Sequence, residues 1–360
     1  MAEKERGSIN NHSGHFYRKT WPFFLALITF ALTRIAVHNA ALTERLYTKG
    51  VYPVIASILS FFSNMFPFSL WDVFWIIFIL VVIAGLILVF FRKIKPGFYF
   101  LRLLQVLAIL YTFFYFVWGF NYFRPGISDR MSWKVPVQDE KLFRTVLDTL
   151  IAETNKNYIS ISKTDYHLFD SLVEESYSNL KSRLGINYPN GKRRPKNMIF
   201  SKFYGKLGLS GYFGPFFNEV HINKILLPVD YPYVLGHEKA HQLGFTSESE
   251  ANLAGYVVCI NSPDQRLRYS GYLSTLLYFL RDASHLGDFH DIVKTIDKRV
   301  IDDIRNRQKY YQELENVKLS DFQTSVNNSY LKANHIENGV KNYNEVVSLV
   351  IEWSVNTFRK

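Results

Sequence analysis

The sequence predicts an α+β, mainly helical protein in which apolar membrane helices precede a globular domain, and three observations carry that reading. Hydrophobic residues make up 48% of the 360 positions, yet they crowd into the first third of the chain. One run, Trp71 to Phe91, holds a single charge and is long enough to cross about 30 Å of hydrocarbon as a helix. Beyond Arg124-Pro125-Gly126 the composition turns into a globular mixture with apolar residues at helical spacing.

Residues 1–20 form a basic tail. The first span is expected at 21–38, where the apolar run from Trp21 to Leu32 continues through Arg34, whose charge must snorkel to an interface. No small-residue cleavage pattern follows it, so a membrane helix is preferred to a cleaved signal peptide. The stretch 51–66 is apolar but short and is bounded by Pro53 and Pro67, which fits an interfacial helix better than a crossing. The second span is 71–91. A third, 98–122, follows the basic break Arg92-Lys93-Ile94-Lys95 and ends in Tyr, Phe and Trp, as an interface would.

Lys4, Arg6, Arg18 and Lys19 in the tail, with Arg92, Lys93 and Lys95 after the second span, belong on the cytoplasmic side by the positive-inside rule. Three crossings then place residues 125–360 outside the cytoplasm. The expected location is the cytoplasmic membrane, multi-pass, with an extracytoplasmic or periplasmic domain.

A formal net charge of +11 does not point to nucleic acid, because many Lys and Arg flank apolar segments and no dense basic run interleaves with aromatics. The single cysteine, Cys259, excludes an intramolecular disulfide framework and reads as a buried structural thiol. Helices are expected over Lys141 to Asn155 and Tyr166 to Leu184, then from about Tyr233 through Val257 as helix, short loop and helix. Further helices are expected near Leu273 to Leu280, Ile301 to Leu314 and Tyr343 to Trp353. Phe216 to Ile222 alternates well enough for a strand.

The chemistry concentrates in His237-Glu238-Lys239-Ala240-His241. On a helix, histidines four apart share a face and can meet one ion, for which zinc, one per chain, is the natural guest. Glu238 sits beside that face, where it can take a proton from metal-activated water as general base. No proline interrupts the segment, and Gly244 is a plausible helix stop. The bland alternative is a surface helix with two unrelated histidines.

A catalytic site also needs a third protein ligand. Glu248 shares a helical face with Ala251, Asn252 and Gly255; the small residues permit close approach to the motif helix, and Asn252 could hydrogen-bond a ligand histidine. Glu250 is the alternative ligand, although its spacing from Ser247 also fits a capping box. His221 and Asp230 remain behind these two.

The motif followed by Glu248-Ser249-Glu250-Ala251-Asn252 resembles zincin metallopeptidases of the gluzincin type, in which HExxH precedes E-x-x-x-D or a close variant. The resemblance implies a zincin-like metallopeptidase domain, Glu248 as third ligand and Asn252 in the place of the supporting acid. Two departures stand out: six residues separate His241 from Glu248, and Asn replaces Asp. Over its whole length, with three N-terminal spans, the motif and Ser329 to Asn334, the chain resembles a bacterial multi-pass membrane family of unknown function.

These readings imply a membrane-anchored zinc hydrolase, in the first place a peptidase acting on a peptide or protein substrate at the surface of the lipid bilayer. The alternatives are a zinc amidase for cell-wall or lipid-linked substrates, and a non-enzymatic signalling or assembly protein. Phe216 to Ile222 falls where zincins often carry an edge strand for extended substrate, and an ordinary core strand is the equal alternative. Tyr256 and Tyr330 are two of 23 tyrosines that could stabilise an oxyanion.

Overall fold

The computed structural model describes residues 2–137, 139–189, 191–334 and 345–357, with side chains from Thr20 onward except that of Tyr330. Helix α1 (Ala2–Val37) is followed by a short α2 (Ala40–Thr43), a π-helical stretch (Glu44–Val51) and α3 (Tyr52–Ser63). Then come α4 (Leu70–Phe90), α5 (Pro96–Val117), a 3-10 turn (Gly119–Phe123) and α6 (Ile127–Arg130). The remainder runs α7 (Glu140–Asn157), α8 (Tyr166–Leu180), β1 (Lys196–Asn197), α9 (Ser201–Lys206), β2 (Gly211–Gly214) and β3 (Glu219–Ile222). It continues with α10 (Tyr231–Gln242), α11 (Glu248–Ile260), α12 (Gln265–Ala283), α13 (Phe289–Lys294), α14 (Lys298–Leu314), α15 (Val317–Ala333) and α16 (Glu345–Thr357).

Three helices are long and apolar enough to cross a membrane: the Thr20–Val37 part of α1, α4 and α5. Helix α4 buries none of its residues within the most apolar stretch and exposes Ile77, Ile79, Leu80 and Val81 around its circumference, a surface suited to a lipid phase. The third span ends at Val117, earlier than expected. Trp118, Phe120 and Phe123 leave the helix and pack among the helix ends, Trp118 with Tyr52, Ala56 and Phe216, and Phe120 and Phe123 with Ala36 and Tyr115. Helix α3 has twelve residues, too few to cross; it buries Tyr52, Ala56 and Ser60 and exposes Val54, Ile58 and Phe61.

The core of the globular part is built on α10, α11 and α12, whose Leu235, Ala240, Leu253, Val257, Leu273 and Leu276 are fully or almost fully buried. Gly236 and Gly255 face each other where α10 crosses α11. A Cβ on Gly255 would stand 3.0 Å from the His237 nitrogen, so the two backbones meet without intervening side chains. The expected helix near 343–353 is α16, and Tyr343 itself lies outside the described residues.

The sheet has the order β1-β3-β2, with β1 parallel and β2 antiparallel to β3. The expected strand at 216–222 is shorter, because Pro215 to Asn218 form a turn with Asn218 at φ 53°. Strand β3 is central and wholly buried, so it is a core strand with both edges paired, and the edge strands are β1 and β2.

The domain grips the ends of the membrane helices. The first amides of α4 would be orphan donors. Leu70 and Trp71 instead donate to the Glu219 carboxylate at 3.2 and 2.9 Å, and Asp72 to Ser69 Oγ at 2.8 Å. The carbonyls at the end of α10 are met from the membrane side: Tyr52 Oη donates to Gln242 O at 2.5 Å, Trp118 Nε1 to His241 O at 2.9 Å and Arg124 Nη1 to Gly244 O at 3.0 Å.

Replacing Tyr52 with Phe leaves the shape of this junction intact but leaves a buried carbonyl short of a donor. We expect Tyr52→Phe to lower stability by about 1–3 kcal/mol in detergent unfolding measured by circular dichroism. An unchanged midpoint would show that the end of α10 does not depend on the membrane region.

Candidate metal centre

Helix α10 begins at Tyr231 with Pro232 in its first turn, where a missing amide costs nothing, and runs unbroken through the histidine motif. It stops in a left-handed turn at Gly244, φ 88°. Phe245 N bonds Ala240 O at 3.0 Å and Gly244 N bonds His241 O at 3.0 Å, the paired bonds of a glycine-terminated helix end. This turn folds the Phe245 carbonyl back over the preceding helix, where it accepts from His241 Nδ1 at 2.7 Å.

His237 is oriented from the other helix. Its Nδ1 lies 2.8 Å from Asn252 Oδ1, and Tyr233 Oη donates to the same oxygen at 3.2 Å. Both histidines therefore spend their Nδ1 protons on oxygen acceptors, which leaves both Nε2 atoms as lone-pair donors in the neutral rings. Those two atoms lie 3.2 Å apart, and Glu248 Oε2 stands 3.2 Å from one and 3.7 Å from the other.

With both rings neutral, three acceptors thus converge on one point. Donor atoms about 2.0–2.1 Å from a tetrahedral zinc ion would lie about 3.3–3.4 Å apart, close to the edges of this triangle. The donor set of two imidazoles and one carboxylate is also one that zinc takes with a fourth position left open. Burial works to raise the Glu248 carboxyl, but the adjacent imidazoles override it and hold the group well below the usual carboxylate range. Burial opposes protonation of His241, yet Glu248 and Glu238 push it up to about 9. The site calls for positive charge at its centre.

Glu238 has a carboxylate oxygen within 4.8 Å of the histidine nitrogens but belongs to a different wall. A Cβ on Gly211 would come 2.6 Å from Glu238 Oε1, so the carboxylate lies directly on the β2 backbone and needs glycine there. Burial pushes the Glu238 carboxyl up, an effect the histidines oppose and Glu248 reinforces. On the opposite side of α10, Lys239 is fully buried and pairs with Glu174 at 2.6 Å and Asp170 at 2.9 Å, which anchors the rotation of the helix.

The other expected candidates are elsewhere. Ser247 caps α11 by accepting from Glu250 N, but the Glu250 side chain does not complete a capping box. Its carboxylate accepts from Ile127 N at 2.7 Å and pairs with Arg130 at 3.2 Å, tying α11 to the segment that leaves the membrane. His221 Nε2 meets Ser69 Oγ at 2.8 Å in the buried junction with α4, and Asp230 holds Arg307 at 2.5 Å and Tyr311 at 2.6 Å. Tyr256 is buried against Tyr272, away from the cleft, and the Tyr330 side chain lies outside the described residues.

The triangle opens into a cleft of about 890 Å³ whose lining includes Gly211, Phe213, Tyr278, Arg307, Trp71 and Trp118. Tyr278 and Arg307 had no local signal: one is among 23 tyrosines, and the other stands more than 60 residues beyond the motif.

Residues 47–351 match the family described as Protein of unknown function (DUF3810), and the chain belongs to that family. No curated protein and no solved structure matches it.

In elemental analysis of detergent-purified protein we expect Glu248→Ala to lose bound zinc and Glu250→Ala to keep about one ion per chain. Asn252→Ala should weaken zinc about 10–100-fold in chelator competition. Loss of metal in Glu250→Ala with retention in Glu248→Ala would reverse the ligand assignment.

Proposed function

We propose that this protein is a membrane-anchored zinc metallohydrolase of the peptidase type, with a zincin-like domain held outside the cytoplasm. The observation that carries the reading is the convergence of His237 Nε2, His241 Nε2 and a Glu248 oxygen on an open cleft, beside a second acidic side chain, Glu238, that is not needed to complete the triangle. A structural zinc site is closed by four protein ligands and has no use for a neighbouring base.

His237, His241 and Glu248 would hold a zinc ion, which would supply Lewis acidity to polarise a carbonyl and make water easier to deprotonate. Glu238 is the proton carrier: its buried carboxylate accepts a proton from the attacking water and returns it to the leaving amine. Asn252 and the Phe245 carbonyl keep both rings turned with Nε2 inward.

Strand β2 supports a polypeptide substrate. The Asn223 N to Ser210 O bond sets the ladder phase, so alternation along the register turns the main-chain groups of Gly211 and Phe213 away from β3, on the edge that lines the cleft. An extended chain can pair with them, which orients its peptide bond toward the centre. The basic residues of the tail and of the α4 to α5 turn favour an extracytoplasmic domain.

The test is Glu238→Gln. We expect it to keep its zinc by elemental analysis and to lose about 10²–10⁴-fold of the hydrolysis of a peptide library followed by mass spectrometry. Wild-type turnover in that variant would remove Glu238 from the chemistry.

A further inference from the structure

We propose that the substrate is a polypeptide tethered in the same bilayer by an apolar anchor, and that it is cut only a few residues from that anchor. The inference rests on the peptidase reading and adds the substrate class. It follows from where the cleft stands relative to the membrane helices.

Two of the cleft-lining residues are the ends of spans. Trp71 is the second residue of α4, and Trp118 directly follows the last residue of α5. Tyr122 also lines the cleft and packs edge-on against Trp118, with ring centroids 5.1 Å apart. Both tryptophans stand where a helix long and apolar enough to cross a membrane begins or ends, and the end of a spanning helix marks the edge of the hydrocarbon, so this wall of the cleft lies at the membrane interface. The metal-ligand helix reaches the same level, because Trp118 Nε1 donates to the backbone oxygen of His241 itself, at 2.9 Å. Another wall returns there as well: Leu331 of α15 lines the cleft, and Asn334 accepts from Tyr115 Oη of α5 at 3.1 Å.

One indole and one imidazole therefore separate the interface from the reacting position, on the order of 10–15 Å, or about four extended residues at about 3.3 Å each. A chain entering past Trp71 and Tyr122 and pairing with β2 would present such a juxtamembrane bond. A freely soluble peptide gains nothing from the interfacial wall and must approach through the headgroup layer.

The test uses zinc-loaded full-length protein in phosphatidylcholine/phosphatidylglycerol vesicles. It is given one mixed peptide library in three forms: soluble, doubly acylated with a spacer of about three residues, and doubly acylated with a flexible spacer of about twenty. We expect the short-spacer form to be cleaved about tenfold faster than either of the others, as read by mass spectrometry, and Tyr122→Ala to erase that advantage. In the Glu238→Gln protein, a photoreactive group next to the anchor should label Trp71 or the 118–122 segment. Equal cleavage of both spacers, faster cleavage of the soluble form, or labelling confined to α14 would overturn the inference while the peptidase reading stands. No cleavage of any form by protein that holds its zinc would overturn both.

Discussion

Two imidazole Nε2 atoms held 3.2 Å apart and facing a carboxylate oxygen are stable only if a positive charge lies between them, because both Nδ1 protons are already committed to oxygen acceptors. That constraint explains a surprising amount of the surrounding architecture. The left-handed turn at Gly244 brings the Phe245 carbonyl to one ring. The bare contact of Gly236 with Gly255 brings Asn252 to the other, and the same helix delivers Glu248 at its first turn. Lys239, buried among Asp170 and Glu174, keeps α10 from rotating the histidines out of register.

The same helix is welded to the membrane region. Its last carbonyls are satisfied by Tyr52, Trp118 and Arg124, and the sheet that carries Gly211 is bound through Glu219 to the first amides of α4. The spans are thus part of the site's scaffold and do more than moor a separate domain. Because α10 is capped in this way, the wall of the cleft includes Trp71 and Trp118 from the ends of two helices long and apolar enough to cross a membrane.

Much of this was legible in the residues. Spacing alone put the histidines on one helical face, Gly244 marked the stop, and Ala251 with Gly255 marked the face of α11 that approaches α10 and carries Glu248 and Asn252. Periodicity was less informative at Glu250, where the serine three residues earlier suggested a local cap and the carboxylate instead crosses to Ile127 and Arg130. It was also uninformative at the strand, since alternation reports two faces and says nothing about which strand lies at an edge. The caps of α10 left no trace, because Tyr52 and Trp118 act across 190 and 123 residues of sequence, and a distant donor writes no local pattern. The aromatic end of the third span read as a continuous helix to residue 122, and a local pattern does not report that the helix stops at Val117 and turns back among the other helix ends.

The account is tested most directly by X-ray absorption at the zinc edge of full-length protein in lipid nanodiscs. It predicts one zinc per chain with two imidazoles and only oxygen donors completing a four-coordinate shell at about 2.0–2.1 Å, one of them exchangeable for an added anion. A shell with fewer than two imidazoles, or one closed by four protein donors that no added anion perturbs, would contradict it.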